Sequence, residues 1–140
     1  GAVVEGYCSD FSRTIFIGSI DKALQTVYNT VRSAQNAALA GIRPGMTGKE
    51  ADALARDVIR AAGYGEFFGH GLGHGVGLDI HEDPRVSFAS DTVLAENMVI
   101  TIEPGIYVPG MGGVRIEDLC VVQEHGLENL VTAGKQCIQI

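Results

Sequence analysis

Residues 70–82 read His-Gly-Leu-Gly-His-Gly-Val-Gly-Leu-Asp-Ile-His-Glu, placing three of the chain's four histidines (His70, His74 and His81) in one short segment. Gly71, Gly73, Gly75 and Gly77 are interleaved with them. Histidine is the side chain best suited to ligate a transition metal or move a proton near neutral pH. Glycine permits close backbone approach and dihedrals that other residues avoid. The segment therefore reads as the wall of a reactive site, and the carboxylates that could join it must be sought elsewhere in the chain.

Upstream, Val3-Val4, the turn Glu5-Gly6 and residues 7–17 (YCSDFSRTIFI) read as a hairpin with a long returning strand. Alternation along that strand puts Asp10, Ser12 and Thr14 on one face. Two amphipathic helices follow. Ile20, Leu24, Val27, Val31, Ala34 and Ala38 recur at helical spacing, with Ser19 as the expected N-cap and Gly41 at the stop. Thr47-Gly48-Lys49-Glu50 fits a capping box and opens a second helix with Ala51, Leu54, Ala55, Val58 and Ile59 as its stripe, ended by Gly63. Both apolar stripes read as core packing.

From Gly65 onward strand and turn signals dominate. Residues 98–103 (MVITIE) alternate up to Pro104-Gly105, with Val99, Thr101 and Glu103 on one face. Residues 113–122 (GVRIEDLCVV) form another alternating run, with Arg115, Glu117 and Leu119 on one face. Helices followed by strands predict an α+β domain, its helices packed on a mostly antiparallel curved sheet. A carboxylate on an apolar strand is costly unless paired or metal-bound. A site combining Asp10, His74, Glu103 and Glu117 would suit a pair of divalent ions such as Mn²⁺, Co²⁺ or Zn²⁺.

The bulk properties narrow the field. The 140 residues suffice for one domain with a real core, and the composition, 46% hydrophobic and 19% charged, is that of a globular protein. A net charge of −7 argues against a nucleic-acid partner. The three cysteines, Cys8, Cys120 and Cys137, form no Cys-x-x-Cys pair. That excludes a zinc ribbon or redox dithiol and suits a cytoplasmic protein with reduced thiols. No apolar run approaches the roughly 18 residues of a membrane span, and no cleavable leader is visible.

These residues resemble the pita-bread metallopeptidases, the fold shared by methionine aminopeptidase, aminopeptidase P and prolidase. The family's histidine pattern is met at every position from His70 to Glu82, and GYCSDFSRT at 6–14, TIEPGIYV at 101–108 and GVRIEDLCVV at 113–122 match further blocks in order. The resemblance implies a partial pita-bread fold and a metal-dependent exopeptidase. Asp10, His74, Glu103 and Glu117 would be its metal ligands, with Glu103 also relaying protons. It also implies catalytic contacts from His70 and His81 to a peptide substrate, and Arg115 just outside the ligands, neutralising carboxylates and fixing their orientation. Two divalent ions (Mn, Co or Zn) and a bridging hydroxide would hydrolyse the first peptide bond. His70 speaks for the Xaa-Pro branch, aminopeptidase P or prolidase, over methionine aminopeptidase. A non-catalytic protein-binding module of the same fold is the alternative from another class.

The family places one more ligand, as Asp-x-Gly, on the strand that leads into the hairpin. Gly1 matches that glycine, so the aspartate would fall two residues before it. Residues 1–140 are accordingly expected to be a single catalytic-domain fragment, lacking the upstream part of the domain and any N-terminal domain. Such a fragment is expected to fill its metal site incompletely and to be a weak peptidase or none, and its parent to be a possible homodimer.

Overall fold

The computed structural model describes residues 1–140. A hairpin of Val3–Val4 (β1) and Tyr7–Cys8 (β2) is followed by Ile15–Phe16 (β3), the helices Lys22–Gly41 (α1) and Gly48–Ala61 (α2), and a 3-10 turn at Gly65–Phe67. The strands Gly73–Gly75 (β4), Glu82–Val86 (β5), Val99–Ile102 (β6), Gly105–Val108 (β7), Gly112–Arg115 (β8), Asp118–Gln123 (β9), Gly126–Asn129 (β10) and Ile138–Gln139 (β11) complete the chain. The main sheet has the order β10-β9-β6-β4-β5, and every pairing in it is antiparallel. β7 and β8 form a separate hairpin, and β3 lies parallel to β11. The α+β reading holds, and no helix is long and apolar enough to cross a membrane.

Both helices bury the stripes that their periodicity marks. Val27, Val31, Ala34 and Ala38 of α1 and Ala51, Ala55 and Ile59 of α2 join Ile100, Ile102, Ile106, Val114, Ile116, Cys120 and Val122 in one core. Burial in that core, together with the Asp118 carboxylate, pushes the Cys120 thiol up to about 12, so it stays protonated. The alternation of β6 sends Ile100 and Ile102 into this core and leaves Thr101 for the opposite side. The capping box of α2 is present: Glu50 N–H donates to Thr47 Oγ1 at 3.2 Å, and Thr47 N–H donates to Glu50 Oε2 at 2.7 Å.

Three local expectations are corrected. Asp21, not Ser19, caps α1, accepting from the Ala23 N–H at 2.7 Å. Ser19 lies outside the helix, just after a bend at Ile17-Gly18 where the Gly18 N–H donates to the Ile140 carbonyl. The returning strand over residues 7–17 is not continuous; it stops after Cys8 and resumes only at Ile15. In between, Ser12 exchanges backbone bonds with Glu117, and this bridge turns the segment across the end of the main sheet. The run 113–122 also divides at Ile116-Glu117, where the chain leaves the β7–β8 hairpin and enters the main sheet as β9.

The bridge at Ser12 is anchored by buried charge. The Asp118 carboxylate is fully buried. It receives Arg13 Nη2 at 2.7 Å, Asn129 Nδ2 at 2.6 Å and the Lys135 ammonium. Arg13 also donates to the carbonyls of Ser12, Glu117, Ala133 and Gly134, tying three parts of the chain together. Breaking a buried pair from one side strands a charge, which typically costs about 3–5 kcal/mol. The Arg60–Asp57 pair on α2 has both side chains 66% exposed, the situation in which an ion pair is worth about 0–1 kcal/mol. In urea unfolding, Arg13→Met is therefore expected to cost several kcal/mol and Arg60→Met under 1. Equal costs would contradict the anchoring role given to Arg13.

Candidate metal centre

His74 lies on β4 between β6 and the edge strand β5 of the main sheet. The glycines beside it answer a packing demand. A Cβ on Gly73 would run into the Thr101 carbonyl, and one on Gly75 into the Asp83 carbonyl. The close approach read from these glycines is thus first an approach of neighbouring strands. The His74 backbone N–H donates to Thr101 Oγ1 at 3.0 Å, and that hydroxyl donates to Glu103 Oε1 at 3.0 Å. Thr101 therefore couples a histidine and a glutamate that stand on different strands.

The His74 ring is directed by its own backbone neighbour. Nδ1 lies 3.0 Å from the Gly75 carbonyl, a contact that requires a proton on Nδ1. Nε2 then faces Glu103 Oε1 at 3.1 Å and Asp10 Oδ2 at 3.8 Å. Ligand atoms of Asp10, His74 and Glu117 all lie within 4.8 Å of one another. Glu117 arrives from the break before β9, where Ser12 Oγ donates to its Oε2 at 2.6 Å. Asp10, His74, Glu103 and Glu117 thus converge. Arg115 reaches Glu117 through Ser12, donating from Nη2 to Ser12 Oγ at 3.2 Å.

The electrostatics of the cluster are those of crowded carboxylates. Burial raises the Glu117 carboxyl above its usual range, and the nearby Glu103 and Asp10 charges push the same way against the Ser12 hydrogen bond. Burial would raise Glu103 as well, but hydrogen bonds from His74 and Thr101 and the His74 charge outweigh it and lower that carboxyl. Burial would lower His74, but its contacts with Glu103, the Gly75 carbonyl and Asp10 prevail and raise it. Three carboxylates around one imidazole are a poor arrangement without a cation, and a good one for hard or borderline divalent ions. The donor set therefore fits such an ion.

Beside the cluster is a cleft of about 290 Å³ lined by His70, His74, His81, Arg85, Glu103 and Arg115, with Ser87 at its wall. His81 lies beside the His74 ring, with centroids 4.4 Å apart and planes tilted by 54°. His70 holds the Gly71 carbonyl at 2.8 Å through Nδ1 and faces the Tyr107 hydroxyl at 3.0 Å through Nε2. The His70 loop is pinned by a pair on α2. Arg56 binds the buried Asp52 through Nε at 2.6 Å and Nη2 at 3.0 Å, and donates to the carbonyls of Phe68 and His70. The Leu72 N–H donates to the same Asp52 carboxylate.

Comparison with known proteins agrees with this geometry. The model of metallopeptidase family M24 matches residues 1–124. The chain belongs to this family. Within family M24 it is 49% identical over 138 residues to the Xaa-Pro dipeptidase of Pyrococcus furiosus, covering 99% of this chain and 40% of that protein. Its fold is similar to a solved Xaa-Pro dipeptidase from Bacillus anthracis, with a TM-score of 0.95 at 52% identity, covering 96% of this chain and 38% of that one. It is also similar to the X-Pro aminopeptidase of Thermotoga maritima, with a TM-score of 0.96 at 46% identity, covering 100% of this chain and 40% of that one. The chain thus spans about two fifths of the length of these M24 relatives.

Several residues around the centre were not singled out by motif or spacing. Gln35 of α1 is fully buried, and its Nε2 donates to the carbonyls of Ile102 and Ile116, each at 3.1 Å. Asp52 and Arg56 sit at helical i,i+4 spacing, Arg85 is an exposed cation at the cleft, and Thr101 shares the Glu103 face. Polar residues on otherwise apolar stripes were the available signal for Gln35 and Asp52. Removal of a ligand is expected to show in binding. His74→Ala and Glu117→Ala should each weaken Co²⁺ binding at least tenfold in calorimetric titration. Both should bind more weakly at pH 6 than at pH 8, because the ligands must shed protons. Unchanged affinity in both variants would remove the cluster as a metal centre.

Proposed function

We infer that this chain supplies the catalytic face of a metal-dependent exopeptidase that hydrolyses the bond before proline in Xaa-Pro peptides. The reading rests on the meeting of Asp10, His74 and Glu117 ligand atoms within 4.8 Å. That meeting occurs in a chain about half identical to Xaa-Pro dipeptidases. Asp10, His74, Glu103 and Glu117 would hold a pair of divalent ions. When bound, such ions supply a Lewis acid and a water of lowered pKa. Activity is proposed for a protein in which an upstream aspartate joins these four residues.

The chain's own groups divide the remaining work. Glu103 is depressed below the ordinary carboxyl range, so it stands ionised near neutral pH and can accept a proton beside the cluster. His81, exposed at the cleft and beside His74, can donate a hydrogen bond to a developing oxyanion. His70 is held by Gly71 and Tyr107 in an orientation that faces the cleft. Arg85 is a cleft cation with no acidic partner and is suited to the free carboxylate of a C-terminal proline. That pairing favours dipeptides over longer substrates.

The test is proline release from an Xaa-Pro dipeptide, its C-terminal amide and an Xaa-Pro-Yaa tripeptide, with and without a chelator. The dipeptide should be the best substrate, and chelation should abolish turnover until Mn²⁺, Co²⁺ or Zn²⁺ is restored. Glu103→Gln should lower kcat by at least about 10²-fold. Arg85→Met should raise KM for the dipeptide about 10- to 100-fold, the worth of a hydrogen bond to charge, and leave the amide unaffected. Cleavage of none of the three by the metal-loaded full-length protein, with the upstream aspartate present, would overturn the assignment.

A further inference from the structure

Gln35 lies on the buried stripe of α1 with no exposed surface, among Val31, Ala34 and Ala38. Its amide reaches from the helix to the backbone at the end of β6 and just before β9. One nitrogen, Nε2, donates to both the Ile102 and the Ile116 carbonyls at 3.1 Å. Each carbonyl belongs to the residue immediately before a clustered glutamate, Glu103 or Glu117. Ile102 is the last residue of β6, and Ile116 lies in the gap between β8 and β9, outside both ladders. The Gln35 Oε1 has no partner although it is buried. Flipping the amide would set that oxygen against two carbonyls, so the observed orientation is the one that hydrogen bonding permits. A buried acceptor without a partner is costly, and the double donation is what sets it there.

We propose that Gln35 is a positioning residue for the metal centre: by bonding the carbonyls of Ile102 and Ile116 with one amide, it fixes the spacing of Glu103 and Glu117. The inference rests on the metal-binding reading of the cluster. Gln35 makes no hydrogen bond to either glutamate side chain and acts through the backbone before each. Other bonds tie Glu103 to Leu72 and Thr101 and Glu117 to Ser12, but the Gln35 amide joins the backbone before one glutamate directly to the backbone before the other. Residues that orient ligands from outside typically cost 10–100-fold in metal affinity when removed.

The experiment is a Co²⁺ titration followed by calorimetry and by the visible ligand-field spectrum, in parallel with thermal unfolding of the metal-free protein. Gln35→Met keeps the side-chain volume and removes both donors. Gln35→Glu, neutral when buried, keeps one donor. Val31→Ala opens a cavity on the same buried stripe of α1 without touching either carbonyl. Gln35→Met is expected to lose at least tenfold in Co²⁺ affinity with an altered spectrum. Gln35→Glu should fall between it and the unaltered protein. Val31→Ala should unfold at lower temperature yet bind Co²⁺ within about twofold of normal. A Gln35→Met protein that binds Co²⁺ normally would overturn the proposal, as would a Val31→Ala protein that loses affinity equally. Failure of the unaltered protein to take up Co²⁺ would instead overturn the metal reading itself, and this inference with it.

Discussion

Mutual repulsion among buried carboxylates is the constraint around which this structure is organised. Glu117 is 3% exposed, and its neighbours Glu103 and Asp10 raise its proton affinity further. Such a grouping does not form by hydrophobic collapse. It must be imposed by elements that are stable for other reasons, and it is relieved by a cation or by protons. The core built from α1, α2 and the main sheet supplies the stable elements, and the polar face of that sheet carries the strained ones.

Three polar devices transmit that order from core to cluster. Arg13 and Asp118 lock the Ser12–Glu117 bridge, which sets where Asp10 and Glu117 enter. Asp52 and Arg56 hold the backbone from Phe68 to Leu72, which sets the start of β4 and hence His74. Thr101 links the backbone of His74 to the side chain of Glu103. Each device joins segments distant in sequence, so the four candidate ligands are fixed relative to one another even though they come from four separate parts of the chain. A preorganised cluster of this kind spends little free energy on rearrangement when it is filled.

Much of this was legible in the sequence because local periodicity and chemistry agreed. The helix stripes, the α2 capping box, the Glu5-Gly6 turn and the shared face of Thr101 and Glu103 follow from residue spacing. That turn shows positive φ at both residues, as a two-residue hairpin requires. The alternation of Asp10, Ser12 and Thr14 also marked residues that face the cluster region, although the strand expected to carry them is interrupted. What spacing could not reveal was pairing at long range. Continuous alternation over 113–122 gives no sign that the chain changes sheets at Ile116, because both hairpins bury the same side. Gln35 and Asp52 break apolar stripes, a sign of a buried polar role, but the backbone groups they bond are separated from them by 20 to 81 residues.

The account depends on the four side chains enclosing a divalent cation. Anomalous diffraction from crystals of the protein grown with Mn²⁺, recorded on both sides of the manganese absorption edge, tests this directly. The account predicts a peak bonded by Asp10, His74 and Glu117, with Glu103 in contact. A fully substituted crystal with no manganese among those four residues, or with the ion held elsewhere on the surface, would contradict it.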